Sequence, residues 1–175
     1  MWSPRWRKQV VDEATATRRI RAAVDARRDP NLLIIARSDI RAVDGLDATI
    51  ERTKRLVDAG ADAIFPEALE SLKEFAVVRA AIDVPMLANM TEFGKSNLFT
   101  TRQLREVGVN LVIWPVSLLR MAMGAAEKAL ETLQTDGSLT SELRQMQHRR
   151  DLYDLLDYEA YNKFDASVFN FRVAD

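Results

Sequence analysis

Four places in this 175-residue chain set polar side chains directly after an apolar run. Arg37 follows Leu32-Leu33-Ile34-Ile35-Ala36, and Glu67 follows Ala63-Ile64-Phe65-Pro66. Asn89 and Thr91 follow Met86-Leu87-Ala88, and Ser117 and Arg120 follow Leu111-Val112-Ile113-Trp114-Pro115. An arginine offers a planar fork that grips a carboxylate or phosphate through two parallel hydrogen bonds. Asn and Thr two residues apart on an extended backbone point the same way and can donate together. A glutamate beside them could orient a hydroxyl. Each feature also has a plainer reading. Arg37 could be solvated or paired with Asp39, Glu67 could be an acid favoured by a helix N-terminus, and Asn89 could simply form a turn.

The elements that must carry these residues alternate. Apolar spacing predicts a helix over about 12–28, with Ile20, Ala23 and Val24 on one face and Asp29-Pro30 ending it. Strands are expected at 32–36, 62–68, 84–90 and 109–115, the first apolar on both faces. Between them lie a helix from Asp44 or Asp47 to a Gly60 cap, with Ile50, Leu56 and Val57 inward, and another over 70–81 carrying Leu72, Phe75, Val78 and Ile82. A third runs from Thr100 or Thr101 to Val107-Gly108, and the longest over 117–134. Met121 and Met123 read as core packing, and His148, the only histidine, as surface.

Strand followed by helix four times over predicts an α/β fold with a parallel sheet and right-handed crossovers. No glycine-rich phosphate loop follows any strand, which argues against a nucleotide-binding sheet. Polar residues at successive strand C-termini are instead where (β/α)8 barrels keep their chemistry.

Composition narrows the field. The formal charge of −1 leaves no basic footprint for nucleic acid or a membrane surface, and no apolar run approaches the roughly 20 residues of a membrane span. The absence of cysteine excludes disulfides, thiolate metal sites and a cysteine nucleophile within these residues. A cytoplasmic protein is expected. The opening MWSPRWRKQVV is unusual: Trp2, Arg5, Trp6 and Arg7 could form an interfacial or nucleic-acid contact, or an alternative N-terminus. Without an apolar stretch behind them they are not a signal peptide.

The stretches RIRAAVDARRDP, IIARSDIRAVDGLDATIERTKRLVDAGADAIFPEAL, VPMLANMTEFGKSNLFT and MQHRRDLYDLLDYEAYNKF closely resemble the methylisocitrate lyases of the isocitrate lyase and phosphoenolpyruvate mutase superfamily. The likeness runs from about Lys8 to Phe171. It implies a partial (β/α)8 barrel, namely its last four βα units over 12–136, after an atypical 1–11 and before a helical segment at 137–175. It also implies Mg2+, a small di- or tricarboxylate substrate, and cleavage of 2-methylisocitrate to pyruvate and succinate. By this resemblance the substrate-binding positions are Arg37, Glu67, Asn89, Met90, Thr91, Arg120 and Arg149.

The family's Mg2+ aspartates and its Lys-Lys/Arg-Cys-Gly-His loop, whose cysteine is the acid/base, find no counterpart here. The expectation is therefore a C-terminal half, inactive alone. Two other readings stay open: a non-catalytic half-barrel with weak carboxylate binding or an assembly role, and a sister chemistry on oxaloacetate or phosphonopyruvate. A half-barrel exposes its outer strands, and Leu143, Met146, Leu152, Tyr153 and Leu156 form a late apolar stripe. Self-association into a homo-oligomer is expected.

Overall fold

A computed structural model describes residues 9–94 and 96–169; Trp2, Arg5, Trp6 and Arg7 lie outside these. The chain divides into two compact units, Met1–Arg120 and Met121–Asp175. The first carries α1 (Glu13–Asp25), β1 (Ile35–Ser38), α2 (Arg41–Asp58), β2 (Ala63–Pro66), α3 (Leu72–Ala80), β3 (Leu87–Asn89), α4 (Thr101–Glu106) and β4 (Leu111–Ile113). Helix α5 (Ser117–Asp136) starts in this unit and continues into the second.

Helix starts follow from local chemistry. Asp12 accepts from Thr15 N–H at 2.7 Å, Ser71 caps α3, and Thr100 and Gln103 form a reciprocal capping box on α4. Helix α2 begins earlier than the acid pattern implies, at Arg41, because Gly45 breaks it with φ 86° and the regular helix resumes beyond. Gly60 (φ 100°) ends that helix as expected, and a Cβ there would press on Val24 Cγ2 at 3.1 Å.

All strand pairing is parallel. Ile35, Ala36, Arg37 and Ser38 align with Ala63, Ile64, Phe65 and Pro66, while Leu87, Ala88 and Asn89 align with Leu111, Val112 and Ile113. A single bridge between Ile64 and Met86, with Ile64 N–H donating to Pro85 O at 2.9 Å, joins the two pairs. The strands therefore lie side by side in chain order, each followed by a helix. Ile64, Leu69, Phe75, Val78, Met86, Met90 and Leu104 fill the core beneath them, with Phe75 edge-on to Phe99 at 6.4 Å.

At the other end of the strands one carboxylate ties three segments together. Asp62 accepts from Ile34 N–H at 2.7 Å and from Arg27 Nη2 at 2.7 Å. The backbone bond from Ile34, then Arg27, holds its pKa below the ordinary 3.8. That anchor also corrects the expected first strand. Pairing begins only at Ile35, and a turn in which Leu32 N–H donates to Asp29 O leaves Leu32 and Leu33 outside it, 55% and 65% exposed.

The second unit holds the rest of α5, a 3-10 helix (Thr140–Gln145), α6 (Arg149–Leu155) and α7 (Tyr158–Val168). His148 is exposed and caps α6, taking Arg150 N–H on Nδ1 at 3.2 Å. Tyr153 stacks on Tyr158 at 4.7 Å. Met121 and Met123 are not core residues: they are 73% and 56% exposed, and no described residue of α5 is buried. Leu143, Met146, Leu152, Tyr153 and Leu156 are exposed as well, and the extended backbone at Met146 and His148, between the 3-10 helix and α6, interrupts the stripe.

Ile64 is fully buried and paired on both sides, so Ile64→Ala should cost the first unit about 2–5 kcal/mol and Ile64→Val about 0.5–1.5 kcal/mol. Urea unfolding checks both; an Ile64→Ala midpoint equal to the parent's would contradict this placement of the core.

Candidate functional site

Because the strands are parallel, the residues just past each one arrive at the same end, and there they touch in sequence. Arg37 donates to Asp39 through Nε at 2.8 Å and Nη2 at 3.2 Å, and its Nη2 also lies 3.2 Å from Glu67 Oε2. Its guanidinium rests over the Phe65 ring, 4.8 Å from the centroid. The hydrogen bond to Asp39, with Glu67 nearby, raises the arginine pKa further. Glu67 N–H continues the ladder to Ser38 O at 3.0 Å, which brings its largely buried carboxylate to Asn89 Nδ2 at 3.3 Å. Asn89 Oδ1 in turn accepts from Thr91 N–H at 3.0 Å.

The chain of contacts continues past β3 and β4. Arg120 Nη1 reaches Thr91 Oγ1 at 3.4 Å, Glu92 O at 3.1 Å and Glu92 Oε2 at 3.1 Å. Ser117 Oγ donates to the same carboxylate, 2.6 Å from Oε1 and 2.8 Å from Oε2. Arg120 lies 5.5 Å from the Phe93 ring centroid. The Ser117 hydrogen bond first, and Arg120 after it, hold Glu92 below its ordinary pKa of 4.5.

Backbone strain marks the same end of the strands. Ala68, Phe93 and Val116 are non-glycine residues at φ 66°, 62° and 58°, each beside a site residue: Glu67, Glu92 and Ser117 respectively. Such conformations cost of order 1–3 kcal/mol each and persist only where the surroundings impose them. For a β-branched residue such as Val116 they are outliers.

The strand-end residues Arg37, Glu67, Asn89, Thr91, Ser117 and Arg120 thus form one connected set. The two readings of Arg37 and Asn89 prove compatible: Arg37 pairs with Asp39, and Asn89 forms its turn while still holding Glu67. Glu67 is not a helix N-terminal acid, since α3 begins only at Leu72. Met90 departs from the others: its side chain is buried, its sulfur takes Phe99 N–H and its own N–H goes to Ile113 O. Arg149 belongs to the second unit, where it opens α6 and is exposed. Glu92 was missed by sequence reasoning, whereas Asp39 was already named there as a possible partner of Arg37. Glu92 could have been found as the acid of the loop that Thr91 begins, but its partner Ser117 is 25 residues away.

Among the described residues no group of three or more His, Cys, Asp or Glu side chains could hold a metal ion. Asp39 and Glu67, the acids at the β1 and β2 ends, both bear on Arg37. The donor set present here does not fit Mg2+ by itself.

Residues 3–134 match the phosphoenolpyruvate phosphomutase family. The chain is 52% identical over 166 residues to a Corynebacterium glutamicum protein named probable 2-methylisocitrate lyase 1, covering 94% of this chain and 54% of that one. It is 43% identical over 156 residues to the 2-methylisocitrate lyase of Escherichia coli, covering 89% and 53%. The crystal structure of 2,3-dimethylmalate lyase superposes with a TM-score of 0.78 at 30% identity, over 91% of this chain and 56% of that one. Oxaloacetate acetylhydrolase bound to 3,3-difluorooxalacetate gives 0.80 at 26% identity, over 91% and 54%. The chain spans about half the length of the curated relatives it matches.

Glu92 is more acidic folded than unfolded, so its contribution to stability is fully present above the unfolded value near 4.5 and is lost as pH falls through the lower folded value. Carboxyl-carbon NMR titration should place the Glu92 midpoint below 4.5, and Ser117→Ala should move it upward. A midpoint unmoved by Ser117→Ala would mean that the hydroxyl does not set it.

Proposed function

The chain belongs to the phosphoenolpyruvate mutase and isocitrate lyase family, and from that premise we propose that it forms the carboxylate-binding half of a 2-methylisocitrate lyase-type site. In this reading residues 12–136 are the last four βα units of a (β/α)8 barrel and 137–175 a helical extension. The observation that carries it is the unbroken run of contacts from Arg37 to Arg120 across four parallel strand ends. Arg37 and Arg120 supply charge and Asn89 and Thr91 supply neutral donors. Glu67 orients a substrate hydroxyl. Met90 acts only through its backbone, holding Asn89 and Thr91 two residues apart; the family resemblance also assigns Arg149, at the start of α6, to the substrate.

Support for a small carboxylate as ligand comes from the relatives' names and from 3,3-difluorooxalacetate bound to oxaloacetate acetylhydrolase. General acid-base catalysis needs a proton carrier within hydrogen-bond reach of the reacting atom. These residues contain no cysteine to fill the role that the family resemblance assigns to one. Mg2+, the family's cofactor, would need ligands beyond the described donor set. The 175 residues by themselves therefore bind a carboxylate without cleaving it. A second reading, a half-barrel that serves mainly in assembly, is favoured by the exposed apolar side chains of α5 to α7.

Succinate should bind the 175-residue chain weakly, in the millimolar range, by NMR or calorimetry, while its uncharged diamide should not. Incubated with 2-methylisocitrate and Mg2+, the chain should release no pyruvate in a dehydrogenase-coupled assay; turnover of about 1 s⁻¹ would overturn this reading.

Size exclusion with light scattering should find the chain self-associated at micromolar concentration, since Leu118, Met121, Leu130 and Leu155 expose apolar surface that monomers rarely keep bare. A clean monomer would remove the homo-oligomer proposal.

A further inference from the structure

The two arginines of the site are not equivalent. Arg37 spends its Nε–Nη2 edge on Asp39, and Nη2 also meets Glu67. Among the described residues Arg120 hydrogen-bonds through Nη1, to Thr91 Oγ1, Glu92 O and Glu92 Oε2. Among the described residues none reaches Nε or Nη2. The Nε–Nη2 edge is the one that receives a carboxylate side-on through two parallel hydrogen bonds. Arg120 is thus anchored at one corner with its docking edge open, and it is 41% exposed.

The anchor is itself built. Glu92 holds Arg120 with both its backbone carbonyl and its carboxylate, and Ser117 Oγ pins that carboxylate from the first residue of α5, the helix that carries Arg120 one turn later. Phe93, directly after Glu92, is held at φ 62° and sets its ring by the guanidinium. Two elements, the loop after β3 with its Glu92 and Phe93 and the start of α5 with its Ser117, therefore hold one side chain.

We propose that Glu92 and Ser117 are positioning residues that hold Arg120 so that its Nε–Nη2 edge receives a carboxylate of the ligand, and that Arg37, closed by Asp39, is the lesser contact. This rests on the carboxylate-binding reading above and assigns the residue that makes the first grip.

The test uses the ¹⁵N-labelled chain, with the Nε–Hε signals of Arg37 and Arg120 assigned through R37K and R120K, and succinate as probe. Succinate should move the Arg120 signal and leave that of Arg37 nearly still. E92A should weaken succinate binding about tenfold and collapse the ordered Arg120 Nε–Hε signal, S117A should do the same to a smaller degree, and E92Q, which keeps an acceptor at the same reach, should restore most of both. Succinate binding that moves Arg37 instead, or that survives E92A within twofold, overturns the assignment while leaving the carboxylate reading intact. No succinate response at either arginine overturns both. Unfolded E92A would be recognised from its amide spectrum, and S117A then decides: an unchanged Arg120 signal in it overturns the positioning role.

Discussion

Ile64 is the residue on which the arrangement turns. It pairs with Ala36 on one side, bridges to Met86 on the other, and its side chain is wholly buried. Those two pairings fix the stagger of β1 against β2 and of β2 against β3. Because side chains alternate along a strand, a slip of one residue would exchange the inward and outward sets. The polar residue that ends each strand would then miss its neighbour. This register is what lets Glu67 meet Arg37 on one side and Asn89 on the other. The site is a consequence of register, and register is a consequence of burying a short apolar strand between two others.

Electrostatics then decides how the site behaves without a ligand. Asp39, Glu67 and Glu92 face Arg37 and Arg120, so the described groups carry one more negative charge than positive. A dicarboxylate approaching this set meets arginines that are already engaged, and exposed ion pairs of this kind are each worth little. Affinity must come from donors still unspent, which singles out the open edge of Arg120.

Much of this was legible in the sequence because each chemical residue directly follows its apolar run, and a common strand direction brings such residues together. The helix start at Thr100 and the Gly60 stop were legible from local residue types as well. What failed depended on partners far along the chain. Leu32 and Leu33 look like strand residues until Asp62, about thirty positions on, captures Ile34 N–H and sets where pairing begins. Met121 and Met123 are of a residue type suited to a core, but residue type says nothing about whether a core lies opposite. Glu92 stood next to Thr91 in a candidate loop, but its role needs Ser117 and Arg120, which only the fold delivers.

Strain completes the picture. Ala68, Phe93 and Val116 adopt a left-handed conformation just past β2, β3 and β4, where glycine would be easier. Glycine would also leave each turn free to reorient. A side chain locked at positive φ fixes the direction in which the chain leaves the strand, and with it the aim of Glu67, Glu92 and Ser117. The buried strands and the capped helices on either side over-determine those turns, so the strain is stored rather than released. At Phe93 the forced turn also places a ring that is almost wholly solvent-exposed beside Arg120, a position that hydrophobic burial would never select. An aromatic side chain kept in water at a strained backbone position makes physical sense as the floor beneath a guanidinium. The direction of inference therefore runs from the strain to the arginine that it holds.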